Sequence, residues 1–122
     1  MLHVHCTKTE ATEQMFSAEV LAAVKPGVTV VNVGRGSTVD EPALIEALQD
    51  GRVSLAALDV TAVEPLPEDS PLWDLPNVIL APHTAAISPH EPRRIFEVFQ
   101  HNIRCLLDGE PMRNVVNTRE FY

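Results

Sequence analysis

Three apolar runs, Val28-Thr29-Val30-Val31-Asn32-Val33, Ser54 to Val60 and Val78-Ile79-Leu80-Ala81, punctuate this chain at helix-length intervals. The first is β-branched and apolar at nearly every position instead of alternating, which is the pattern of a strand buried on both faces. Strands of that kind alternating with helices imply an α/β fold, a parallel sheet joined by right-handed crossovers. Leu2 to His5 reads as one more short strand at the start of the chain.

The helix signals fall between these runs. Ser17 is a plausible cap for a short helix through Ala23, broken by Pro26-Gly27. Asp40 caps the next, with Pro42 in its first turn and Leu44, Ile45 and Leu48 as its apolar face; Asp50-Gly51 ends it. Thr7 to Thr12 is polar and reads as a loop, and so does the proline-rich stretch from Pro65 to Pro76. Ser88-Pro89-His90-Glu91 has capping-box spacing, which would place Pro89 at the first position of a helix that runs to about Asp108 and closes at Gly109. That helix carries Ile95, Phe96, Phe99, Ile103, Leu106 and Leu107, a wide apolar stripe that needs a cover. No internal repeat or low-complexity segment interrupts the pattern.

With 122 residues, the chain is one domain or a piece of one. Its net charge of -8 argues against nucleic acid and anionic membranes as partners. Cys6 and Cys105 are far apart and form no CxxC, so a disulfide framework is not expected and a reducing, cytoplasmic setting is. No apolar stretch approaches the roughly 20 residues that span a bilayer. The opening Met1-Leu2-His3-Val4-His5 lacks the pattern of a signal peptide.

Three residues that can do chemistry follow the three main strands in order: Arg35 after Val33-Gly34, Glu64 after Asp59-Val60-Thr61-Ala62-Val63, and His83 after Ala81-Pro82. Each would leave the end of a strand, the edge at which open parallel sheets bind ligands. A guanidinium fork grips a carboxylate and stays charged. A histidine near neutrality can give or take a proton, and a carboxylate beside it favours the protonated ring and holds one tautomer. Taken singly, each has a bland reading as a surface charge, a solvated loop acid or a turn residue. Together, and in these surroundings, they point to a site that can hold a carboxylate substrate and move a proton. His3-Val4-His5-Cys6 does not suggest a metal centre, because on a strand Cys6 points away from the two histidines and no further ligand cluster accompanies them. The pair Glu64 and Asp69 has no support as a glycosidase dyad.

The order and setting of the trio resemble the D-isomer-specific 2-hydroxyacid dehydrogenases, over nearly the whole chain from about His5 to Tyr122. That resemblance implies a partial Rossmann-like parallel sheet with flanking helices, half of a doubly wound NAD-binding domain, over 1–87, with a returning helix and C-terminal tail over 88–122. It implies Arg35, Glu64 and His83 as the catalytic residues and NAD as cofactor, with NADP left open, and a 2-keto or 2-hydroxy acid as substrate. His5-Cys6-Thr7-Lys8-Thr9-Glu10-Ala11-Thr12 resembles the family's H-x-P-x-T-x-x-T loop, so Cys6, Thr7 and Thr12 fall on cofactor-lining positions, with Thr7 in place of the usual proline. Val33 and Gly34 would let the backbone approach the nicotinamide. Asp59 would accept from its carboxamide, Arg35 and His83 would also touch the cofactor, and Ala86 stands where the family has glycine.

The glycine-rich G-x-G-x-x-G turn and the acidic residue that follows it are absent from these residues. The expectation is therefore a chain truncated at its N-terminus, ending through Phe121-Tyr122 as the family does, and a poor catalyst alone. Alternative readings are an NAD-sensing or partner-binding relative, or a subunit that completes a separate N-terminal half. A homodimer is a further candidate assembly.

Overall fold

The structure is a computed structural model, and it describes residues 1–119. The expected match of the C-terminal end through Phe121-Tyr122 lies outside the described residues. The chain divides into two compact units, Met1–Ala85 and the residues from Ala86 onward.

The first unit holds a four-stranded sheet of order β1-β2-β3-β4, with β1 Leu2–Val4, β2 Val28–Asn32, β3 Val53–Leu58 and β4 Val78–Leu80. Every neighbouring pair is parallel: Val4 faces Asn32, Asn32 faces Leu58, and Leu58 faces Leu80. All four strands therefore end level at one edge, and all four following loops open there. The strands are shorter than their apolar runs by one or two residues at the C-terminal end, because the backbone beyond Asn32 and Leu58 already serves the loops. One ladder bond still follows each strand end: Val33 N–H donates to the Val4 carbonyl at 3.1 Å and Asp59 N–H to the Asn32 carbonyl at 2.9 Å.

Two helices complete the unit, α1 Ala18–Ala23 and α2 Glu41–Gln49. Ser17 Oγ accepts from Val20 N–H and Asp40 Oδ1 from Ala43 N–H, so both expected caps form. On α2 the fully buried residues are Leu44, Ala47 and Leu48, while Ile45 is half-buried. Ala47 thus takes the fully buried place that the apolar pattern gave to Ile45. Val4, Leu21, Val30, Leu44, Leu48, Val53, Ala56 and Leu72 form the core. A short 3₁₀ turn, Gly36–Thr38, follows β2, and another, Pro71–Trp73, lies within the proline-rich loop. Neither shows in the apolar pattern, which carries no period over three residues.

The second unit contains α3, Glu91–Asp108, closed by Gly109 with φ of 71°. The helix starts two residues later than the capping-box reading placed it. Ser88 does not cap it in that way: its carbonyl accepts from Glu91 N–H and its hydroxyl from His90 N–H, forming a turn, and Pro92, not Pro89, occupies the first turn. The expected apolar stripe is present and exposed, from 43% for Ile103 to 79% for Leu107. Among the described residues no helix is long and apolar enough to cross a membrane, no group of three or more metal-ligating side chains forms, and Cys6 and Cys105 are both free thiols.

Candidate active site

The loop after β2 is organised by a residue the apolar pattern conceals. Asn32, 1% exposed at the strand end, accepts from Gly34 N–H through Oδ1 at 3.0 Å and donates from Nδ2 to the Arg35 carbonyl at 3.1 Å. Thr38 adds its hydroxyl to the same carbonyl at 2.6 Å. Arg35 is therefore pinned by its backbone while its side chain stays exposed, with Nη1 donating to the Gly34 carbonyl at 2.7 Å. A methyl group on Gly34 would stand 2.9 Å from the Cys6 carbonyl, so glycine is needed there for the close pass of the β1 loop. Gly36 is more constrained still, since a Cβ would overlap the Thr61 carbonyl.

Asp59 directly follows β3 and is 7% exposed. Its Oδ1 accepts from Thr84 N–H at 2.7 Å and its Oδ2 from Ala85 N–H at 2.8 Å, while its own carbonyl accepts from His83 N–H at 2.9 Å. One residue thus clamps the three residues from His83 to Ala85. Burial by itself pushes the Asp59 carboxyl up; the two backbone donors, with His83 nearby, outweigh it and hold the pKa below the ordinary value. The expected contact of Asp59 with a carboxamide would use lone pairs left over from this clamp.

His83 sits in the left-handed region with φ of 54°, a conformation that costs a side-chain-bearing residue energy and is held here by the Asp59 clamp. Its Nδ1 lies 2.7 Å from Glu64 Oε2. Glu64 in turn is fixed by Thr61 N–H, which donates to Oε1 at 3.1 Å, and its loop by Ala62 N–H donating to Glu41 Oε2 at 2.7 Å. The hydrogen bond from His83 is the main reason that the Glu64 carboxyl lies below its ordinary value; partial burial opposes it, and Thr61 N–H, the His83 charge and Arg35 assist. Beside this pair opens a pocket of about 560 Å³, walled by Leu66, Trp73 and Leu80 and reached by Asp59, Glu64 and His83.

The structure thus joins Glu64 to His83 directly and brings Arg35 to the same edge without a hydrogen bond to either. In the β1 loop, Thr12 Oγ1 donates to the Thr7 carbonyl at 2.7 Å and accepts from Thr9 N–H at 2.8 Å, so its hydroxyl staples its own loop. Cys6 is half-buried and Thr7 exposed; Ala86 falls in the second unit. Asn32, Gly36, Thr38 and Glu41 are the residues that sequence reading missed. A polar residue inside an apolar run, two positions before a glycine, is the signal that could have found Asn32.

A parallel sheet of this order, with its loops opening at the C-terminal edge, has the architecture of a Rossmann-like nucleotide-binding domain. The chain belongs to the D-isomer specific 2-hydroxyacid dehydrogenase family, whose NAD-binding domain matches residues 1–85. It is 44% identical over 110 residues to glyoxylate/hydroxypyruvate reductase B of Pectobacterium carotovorum, covering 89% of this chain and 34% of that one. It is 40% identical over 116 residues to D-3-phosphoglycerate dehydrogenase of Mycobacterium leprae, covering 95% of this chain and 22% of that one. Among solved structures, a D-isomer specific 2-hydroxyacid dehydrogenase of Xanthobacter autotrophicus in complex with NADPH and MES superposes with a TM-score of 0.89 at 44% identity, over 96% of this chain and 48% of that one. The chain spans about a third or less of the length of these two curated relatives.

Proposed function

We propose that the chain carries the arginine and the proton-transfer pair of an NAD(H)- or NADP(H)-dependent oxidoreductase that interconverts a 2-keto acid and its 2-hydroxy acid. The observation that carries this reading is the 2.7 Å contact between Glu64 Oε2 and His83 Nδ1. An ionised carboxylate only accepts, so Nδ1 bears a proton and Nε2 is the nitrogen that works on substrate. In reduction, protonated His83 gives its Nε2 proton to the ketone oxygen; in oxidation, the neutral ring takes the hydroxyl proton. Glu64, held ionised by its partners, stabilises the imidazolium. Arg35 binds the substrate carboxylate and polarises the ketone, exchanging its contact with the Gly34 carbonyl for the substrate.

The residues fit a nicotinamide in their chemistry, since the Asp59 carboxylate, beside His83 at the C-terminal edge of the sheet, keeps lone pairs beyond its two backbone donors for a carboxamide. When bound, that group supplies or accepts the hydride. Cys6, Thr7, Val33, Gly34 and Asp59 would hold it, with Arg35 and His83 at its reacting side; Thr12 would act by keeping the β1 loop in shape. The exposed apolar stripe of α3 and the edge position of β1 favour an assembly, a homodimer or a partner supplying an N-terminal half, and two free thiols favour a reducing, cytoplasmic setting.

Oxidation of NADH with glyoxylate or hydroxypyruvate, followed by absorbance, tests the reading. Turnover by the chain alone is expected to be slow, abolished in His83→Asn and reduced about 100-fold or more in Arg35→Ala. A rate that survives both substitutions sinks the proposal.

A further inference from the structure

The loop that carries Glu64 into the site is held without an apolar core of its own. Val60 is buried at its start, but Thr61 is half-buried, and Ala62, Val63 and Glu64 are exposed. Packing fixes little of such a segment, so its shape depends on hydrogen bonds. Two of them lie within the loop: Thr61 N–H donates to Glu64 Oε1 at 3.1 Å, and Thr61 Oγ1 donates to the Val63 carbonyl at 2.8 Å. Among the described residues, a single hydrogen bond ties residues 61–63 to the rest of the unit, from Ala62 N–H to Glu41 Oε2 at 2.7 Å. Gly36 lets the Thr61 carbonyl lie against the β2 loop, a contact that limits the approach without pulling the loop in.

Glu41 is a firm anchor for that tie. It is the first residue of α2, which Asp40 caps and which buries Leu44, Ala47 and Leu48. Its bond to Ala62 is charge-assisted and joins positions 21 residues apart. Adjacent amides of one turn thus meet two carboxylates, Thr61 N–H that of Glu64 and Ala62 N–H that of Glu41. With Ala62 held, the Thr61 amide keeps Oε1 of Glu64, and Oε2 is left to meet His83 Nδ1 at 2.7 Å. We propose that Glu41 is a positioning residue for proton transfer: through the Ala62 amide it sets the loop that aims Glu64 at His83, and so fixes which ring nitrogen faces the substrate. The proposal rests on the reading of the Glu64–His83 pair above and extends it to a residue that bonds to neither. Ala62 is exposed, so water meets its N–H when Glu41 is truncated; stability then changes little, and direction is what is lost.

Nitrogen-15 NMR of His83 in the 122-residue chain, at alkaline pH, tests it, because the two ring nitrogens report which of them bears the proton. The parent chain is expected to carry it on Nδ1. Glu64→Ala removes the acceptor and is expected to shift the tautomers toward Nε2–H. Glu41→Ala is expected to produce most of the same shift, with faster amide exchange at Ala62. Glu41→Asp keeps the charge and suits a helix start but falls one methylene short of Ala62, and is expected to match Glu41→Ala. Glu41→Gln keeps an acceptor oxygen at full reach and is expected to stay near the parent. Unchanged Thr84 and Ala85 amide signals, from their bonds to Asp59, verify that each variant is folded. A tautomer moved by Glu64→Ala but not by Glu41→Ala or Glu41→Asp, or moved as far by Glu41→Gln as by Glu41→Ala, overturns the inference and leaves the Glu64–His83 pair in place. A tautomer unmoved by Glu64→Ala overturns the proposed function and this inference with it.

Discussion

Asp59 holds the site at the level of single residues. Its two oxygens meet two backbone N–H groups, a match that an amide cannot reproduce because it offers one oxygen. Asp59→Asn is therefore expected to cost about 1–3 kcal/mol in urea unfolding at neutral pH, mainly by leaving a buried donor unmet. A carboxyl whose folded pKa lies below its unfolded one stabilises the fold above the unfolded value, and that contribution is lost as pH falls through the folded value. Asp59 and Glu64 both belong to this case. Stability should thus fall as pH drops below about 4, and Asp59→Asn should flatten that limb; an unfolding series from neutral to acid pH in both proteins checks it. Gly36→Ala forces a methyl into the Thr61 carbonyl and is expected to destabilise by about 1–3 kcal/mol, read as a lower urea midpoint. The sequence shows that Asp59, Glu64 and His83 exist and in which order. That Asp59 clamps the turn carrying His83 depends on residues 24 to 26 positions apart meeting across β3 and β4, and no local signal carries that.

Among the elements, those with their own punctuation were legible. α2 starts at Asp40 and stops at Asp50 because side-chain and glycine signals act within four residues of the helix end. Asp40→Ala is expected to cost about 1 kcal/mol, measured as a shift in the thermal midpoint. Ser88 shows the limit of such signals: its hydroxyl was taken by the nearer His90 N–H, and the helix began later. The 3₁₀ turn Gly36–Thr38 was invisible in the pattern because its shape comes from Asn32 behind it and from Gln14 and Phe16 beside it, which donate to the Ser37 and Thr38 carbonyls.

For the whole molecule, the exposed stripe on α3 has the largest consequence. Phe96 and Phe99 are each 61% exposed, an apolar patch of the kind that recruits a partner or causes association. Sedimentation is expected to show species above 13.4 kDa that grow with concentration, and Phe96→Glu with Phe99→Glu is expected to reduce both that growth and the binding of a hydrophobic dye. A monomer at all concentrations would show that the stripe does not self-associate.

The sequence by itself determined the four strands, the three α-helices, their order and the parallel sheet, and it singled out Arg35, Glu64 and His83 as candidates. Periodicity, caps and strand-end placement are local properties, written within a few neighbouring positions. Tertiary structure alone decided which atoms meet: the Glu64–His83 contact, the clamp on Asp59, the glycine demanded by Thr61, and the bond from Ala62 N–H to Glu41. Such contacts arise when four parallel strands end level and bring loops distant in sequence to one edge, and their register is a property of the packed sheet as a whole.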